Sequence, residues 1–215
     1  MFIKNNKFKR GTSLLEMSIT ILVFGILLVG IIQFQVSITS KSHYTKTVQK
    51  LKTIEDAINN YIIENQHLPC PAAIKLRSSD LSNGIEERFG TQCQTNVTNG
   101  PFENSDGMIY GMIPAKTLGL SSEYMSDAWL SKIVYVVDKK YINRTNFVRY
   151  NDKALTIKNS DGQIITDRAI YLVLSMGENT NGAFRENFQR KVDEKLVDSN
   201  NVAQTNAFDS IFIKN

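Results

Sequence analysis

Glu16 is the residue whose setting most invites chemistry, because no residue from 18 to 32 is charged and a carboxylate beside so apolar a run needs a cation. One reading is local: Ser13-Leu14-Leu15-Glu16 fits a capping box, in which Ser13 caps a helix and Glu16 reaches back to the Ser13 amide. A first-turn carboxylate also complements the helix dipole. The other reading is intermolecular. A cut after Gly11 frees an α-amino group on Thr12, four residues before Glu16 and on the same helix face. The amine of one molecule can then meet the carboxylate of a neighbour offset along a common axis. The chemistry implied is ion pairing and assembly, not bond making.

Catalytic constellations are thin. The chain has no Gly-rich phosphate loop, no Gly-x-Ser-x-Gly elbow and no His-Glu-x-x-His pair. A Ser-His-Asp arrangement would have to use His43 or His67, the only two histidines. No catalytic residue, cofactor-binding residue or metal ligand is assigned, and the chain is expected not to be an enzyme. Cys70 and Cys93, the only cysteines, read as a disulfide fastening a long loop, which contributes about 3 kcal/mol by the chain-entropy estimate. Two unrelated thiols or half of a metal site are the alternatives, although two histidines leave a four-ligand zinc site short of material.

The net charge of +4 and pI near 9.0 suggest an anionic partner. Lys4, Lys7, Lys9 and Arg10 nevertheless all precede Gly11 with no acid among them, so the remaining chain is balanced. The basicity belongs to a leader, and no nucleic-acid partner is expected. A length of 215 residues allows one apolar segment and one domain of ordinary size.

Three elements must position these groups. A leader over 1–11 is followed by a helix over 12–66, apolar enough over about 14–34 to suggest a transmembrane span and amphipathic over about 35–66. Its second half repeats Tyr44, Val48, Leu51, Ile54, Ile58, Tyr61 and Ile62 at three- and four-residue steps, which predicts a helix packed on the chain's own sheet, with a coiled-coil stalk as the alternative. No proline interrupts it before Leu68-Pro69-Cys70-Pro71, which predicts its end. A globular domain over 67–215 then opens with an irregular loop to about 107. Strands are expected at 108–113, 133–137, 169–175 and 208–213, with a hairpin of 155–158 and 163–165 turning at Asp161-Gly162. A short helix is expected around 184–196. The leader charges orient the chain with a cytoplasmic N-terminus and an outer domain, where disulfides persist.

Lys9-Arg10-Gly11, Thr12-Ser13-Leu14-Leu15-Glu16-Met17 and the apolar run together resemble the type IV pilin superfamily, whose prepilins carry a basic leader, a glycine cleaved on its C-terminal side and a glutamate at the fifth mature position. Thr12 departs from the phenylalanine usual there. Leu68-Pro69-Cys70-Pro71-Ala72, Ile113-Pro114-Ala115-Lys116-Thr117-Leu118-Gly119-Leu120 and Asp127-Ala128-Trp129 resemble loop motifs of type II secretion pseudopilins and related prepilin-like proteins. Leu174-Ser175-Met176-Gly177-Glu178-Asn179 and Phe208-Asp209-Ser210-Ile211 do so too.

The resemblance implies an α+β, type IV pilin-like fold, with a long N-terminal transmembrane helix packed on a C-terminal antiparallel sheet. It implies cleavage between Gly11 and Thr12 by a prepilin peptidase, N-methylation of Thr12, and filament assembly aided by Glu16. The implied partners are that peptidase, other pilin or pseudopilin subunits and an inner-membrane assembly platform. The implied location is the bacterial inner membrane, single-pass, with a periplasmic domain that joins a filament of a type II secretion or type IV pilus system. Calcium, held by major pseudopilins in a C-terminal loop, has potential ligands in Asp193, Glu194, Asp198 and Asn200, whose bland reading is a solvated cluster. The competing function is a single-pass anchored periplasmic binding protein that never polymerises.

Overall fold

The structure, a computed structural model, describes residues 13–95, 98–143, 155–158, 161–178, 183–184 and 211–213. The chain divides into two compact units, Met1–Ser42 and His43–Asn215, and helix α1, Leu14–Asn65, belongs to both.

In the first unit α1 starts where Glu16 N and Met17 N donate to Ser13 O at 2.9 and 3.1 Å. Ser18 Oγ donates back to Leu15 O, and Thr20 Oγ1 to Glu16 O and Met17 O, so their hydroxyls are satisfied within the helix. From Leu14 to Leu28, exposed leucine, isoleucine, valine, phenylalanine and methionine side chains recur around the helix.

The expected transmembrane architecture is corrected here. Among the described residues no helix is long and apolar enough to cross a membrane. The apolar start of α1 also carries the ionisable Glu16, whose charge opposes burial in hydrocarbon. The pilin-like fold with a transmembrane helix over about 14–34, and the inner-membrane, single-pass location with a cytoplasmic N-terminus and periplasmic domain, are therefore not supported.

In the second unit Thr47, Leu51, Ile54 and Ile58 form the buried stripe of α1. Each fully buried aliphatic side chain among them contributes about 1.5–3 kcal/mol. α1 ends at Asn65 because Gln66 takes a left-handed φ of 59° while its N–H still reaches Ile62 O at 2.8 Å. The stop thus comes before the proline pair that the sequence points to.

Among the described residues nine strands follow: β1 Arg88–Phe89, β2 Gln92–Cys93, β3 Phe102–Glu103, β4 Met108–Met112, β5 Val134–Asp138, β6 Leu155–Lys158, β7 Ile164–Ala169, β8 Tyr171–Ser175 and β9 Ile211–Ile213. An antiparallel five-stranded sheet has the order β3-β4-β5-β8-β9, with Tyr110 opposite Val136 and Tyr135 opposite Val173. Ile109, Met112, Val137, Tyr171 and Val173 join Leu51, Ile54 and Ile58 in one core cluster, so the helix lies on the sheet. β6 and β7 form a separate hairpin whose turn uses Gly162 at φ 78°. The expected strand 169–175 is divided at Ile170: Ala169 ends β7 in the hairpin, and Tyr171 starts β8 in the main sheet. The loop expected to be irregular contains the small β1–β2 hairpin. The expected helix at 184–196 falls, beyond Phe184, outside the described residues.

Candidate functional site

Among the described residues of the first unit, the start of α1 forms a broad exposed apolar surface. Its large apolar side chains from Leu14 to Leu28 are between 47% and 91% exposed, with Glu16 the only charge among them. Contiguous exposed apolar area of this extent marks an interaction surface in a folded protein. Glu16 stands exposed in the first turn, between Leu15 and Met17. Gly11 and Thr12, the expected cleavage and methylation positions, lie outside the described residues. So do Asp193, Glu194, Asp198 and Asn200. Among the described residues no group of three or more His, Cys, Asp or Glu side chains is placed to hold a metal ion.

Cys70 and Cys93 form a disulfide with their Cα atoms 5.4 Å apart. It ties the chain after α1 to strand β2. Beside it, Glu86 gathers the same segments: Oε2 accepts from Cys70 N and Arg88 Nε, both at 2.9 Å, and Oε1 accepts from Tyr61 OH at 3.2 Å. Arg88 Nη2 donates to Leu68 O and Nη1 to Ile142 O, so one guanidinium joins three segments. Burial and the neighbouring Glu86 carboxylate push the Tyr61 hydroxyl up to about 12. His67 packs edge-on against Tyr61, and His43 against Trp129, with centroid distances of 5.6 and 5.9 Å. Each histidine is a neighbour of an aromatic ring at a packed joint.

Two motifs far apart in sequence meet at Asp127. Its Oδ1 accepts from Trp129 N and Ser131 N, and its Oδ2 accepts from Ser175 Oγ at 2.7 Å. Burial nevertheless pushes the Asp127 carboxyl above its ordinary value, with the hydrogen bonds acting against that shift. Thr47 Oγ1 of α1 accepts from Ala128 N, and Lys50 Nζ donates to Glu123 O and Ser126 O, so the Asp127 turn is seated on the helix. Lys132, only 2% exposed, sends its ammonium to Ile74 O and Leu76 O. These polar groups hold loops to the helix and the sheet; Thr47 and Lys132 belong to no motif, so the sequence carries no sign of their roles.

No protein-family model, no curated protein and no solved structure matches this chain. The functional reading therefore rests on its own residues.

Proposed function

We propose that this chain is a prepilin-like structural subunit, a pseudopilin or minor pilin, cut after Gly11 by a prepilin peptidase and assembled through α1 into the filament of a type II secretion or type IV pilus system. The observation that carries the reading is the start of α1: an exposed apolar helical surface, interrupted by the single carboxylate of Glu16. Burying that surface against the same surface of neighbouring copies removes it from water at about 25 cal/mol per Å². Glu16 then needs a cation inside the bundle, and the Thr12 amine of an adjacent copy supplies it once the leader is gone. Its work is mechanical.

Glu16→Gln tests the pairing. Glutamine keeps the capping function of a third helical position but removes the charge, so the variant is expected to fold and to be cut normally while entering filaments poorly. Filament incorporation equal to the parent chain's counts against the proposal.

A further inference from the structure

The two sulfurs of the Cys70–Cys93 disulfide stand in unlike surroundings. Cys70 is 0% exposed and lies in the segment 68–74, every residue of which is buried. Leu68, Ala72 and Ile74 fasten that segment into the core cluster. Cys93 is only partly buried, at the end of a two-residue strand whose partner β1 is equally short. The tip of this hairpin, from Phe89 through Gly90 and Thr91 to Gln92, is exposed. An element with so few buried contacts opens locally at low cost. Access therefore favours Cys93.

Charge divides in the same way. Glu86 Oε2 accepts from the Cys70 amide at 2.9 Å, which puts a carboxylate beside Cys70. Arg88 is the cross-strand partner of Cys93 in the β1–β2 ladder, which puts the root of a cationic side chain on the face that Cys93 occupies. Glu86 and Arg88 pair with each other at 2.9 Å, and each is only 15% exposed, so water screens them weakly. An anionic thiolate is favoured near the cation and disfavoured near the carboxylate.

We propose that Cys93 is the exchange sulfur of this disulfide, the atom that a small-molecule thiol of the glutathione type attacks, with Cys70 as the leaving thiolate. In the first step the glutathione thiolate bonds to Cys93 Sγ, the Cys70–Cys93 bond breaks, and its electron pair stays on Cys70 Sγ. A second glutathione thiolate then attacks the glutathione sulfur of the mixed disulfide. Oxidised glutathione leaves, both cysteines are reduced, and two electrons have passed from two glutathiones to the protein. The same route in reverse forms the bond: oxidised glutathione caps Cys93, and the Cys70 thiolate displaces reduced glutathione. Cys93 is thus a site of S-glutathionylation and Cys70 its resolving sulfur, whether or not the chain enters a filament.

The test treats the full-length oxidised protein with reduced glutathione, quenches it in acid after short times and maps the mixed disulfide by peptide mass spectrometry. Glutathione is expected on Cys93 in about tenfold excess over Cys70. Cys70→Ser, which keeps the Cys93 thiol, is expected to take up glutathione from oxidised glutathione about tenfold faster than Cys93→Ser does. Both variants lose the same loop closure, so their rates compare the two positions at equal covalent constraint. In urea the rates are expected to converge, because the fold no longer separates the two sulfurs. Where a variant does not fold, the mapping on the parent chain decides. Glutathione found mainly on Cys70, equal rates for the folded variants, or a difference that persists undiminished in urea overturns the assignment.

Discussion

Ser175 Oγ donates to Asp127 Oδ2 at 2.7 Å, a bond that joins the end of β8 to a turn 48 residues earlier. Ser175 Oγ in turn accepts from Gly177 N at 3.2 Å. Because Asp127 and Ser175 are both buried, removing the hydroxyl leaves an acceptor and a donor short of a partner. Ser175→Ala is expected to cost about 1–3 kcal/mol in urea denaturation. Unchanged stability contradicts a bracing role for this bond.

The disulfide closes a loop with a sequence separation of 23. The chain-entropy estimate gives about 3 kcal/mol for a loop of that size. Reduction, or Cys93→Ala, is expected to lower the denaturation midpoint accordingly, and the Glu86–Arg88 cluster to persist at lower stability. A midpoint that does not move under reduction rules out this contribution.

Gly111 in β4 approaches the Pro71-Ala72 segment so closely that an added Cβ would stand 2.5 Å from Ala72 O and 2.9 Å from Pro71 Cβ. That approach accommodates the reciprocal Ala72–Met112 bonds of 2.8 and 2.9 Å beside β3. Gly111→Ala therefore forces backbone apart and is expected to destabilise by about 1–3 kcal/mol.

Tyr61 sets an alkaline limit. Its folded pKa is raised from 10.0 to about 12, so the unfolded chain releases this proton first as pH rises. Stability is complete below pH 10 and falls between 10 and 12. Tyr135, pushed well above its ordinary value by full burial, acts in the same direction. Tyr61→Phe is expected to reduce the slope of the melting temperature against pH in that range, and an unaltered slope contradicts the assignment.

The central sheet is legible in the chain because its apolar, β-branched runs have few ways to be buried: Met108–Met112 and Val134–Asp138 stand where such runs predict strands. The Asp161-Gly162 turn is legible for a local reason, its need for positive φ. The end of α1 is legible to one residue, Asn65 against an expected 66, although the left-handed Gln66 that makes the stop carries no sign of it in the sequence. The break at Ile170, where one apolar run serves two sheets, is not legible. Composition over 14–34 overstates what the described helix supports as a membrane span. At the candidate site the Cys70–Cys93 pair is readable because there are no other cysteines. The Asp127–Ser175 bond is unreadable, because two motifs distant in sequence carry no sign that they meet.

The central claim is a leader removed after Gly11 to create the amine that Glu16 requires. Mass spectrometry of the mature N-terminus, on full-length chain recovered from cells that contain a prepilin peptidase, tests it most directly. The mature chain is expected to begin at Thr12 and carry a methyl group on its amine, and chain made in cells without the peptidase is expected to stay uncut. A chain that keeps Met1, or begins anywhere other than Thr12, contradicts it.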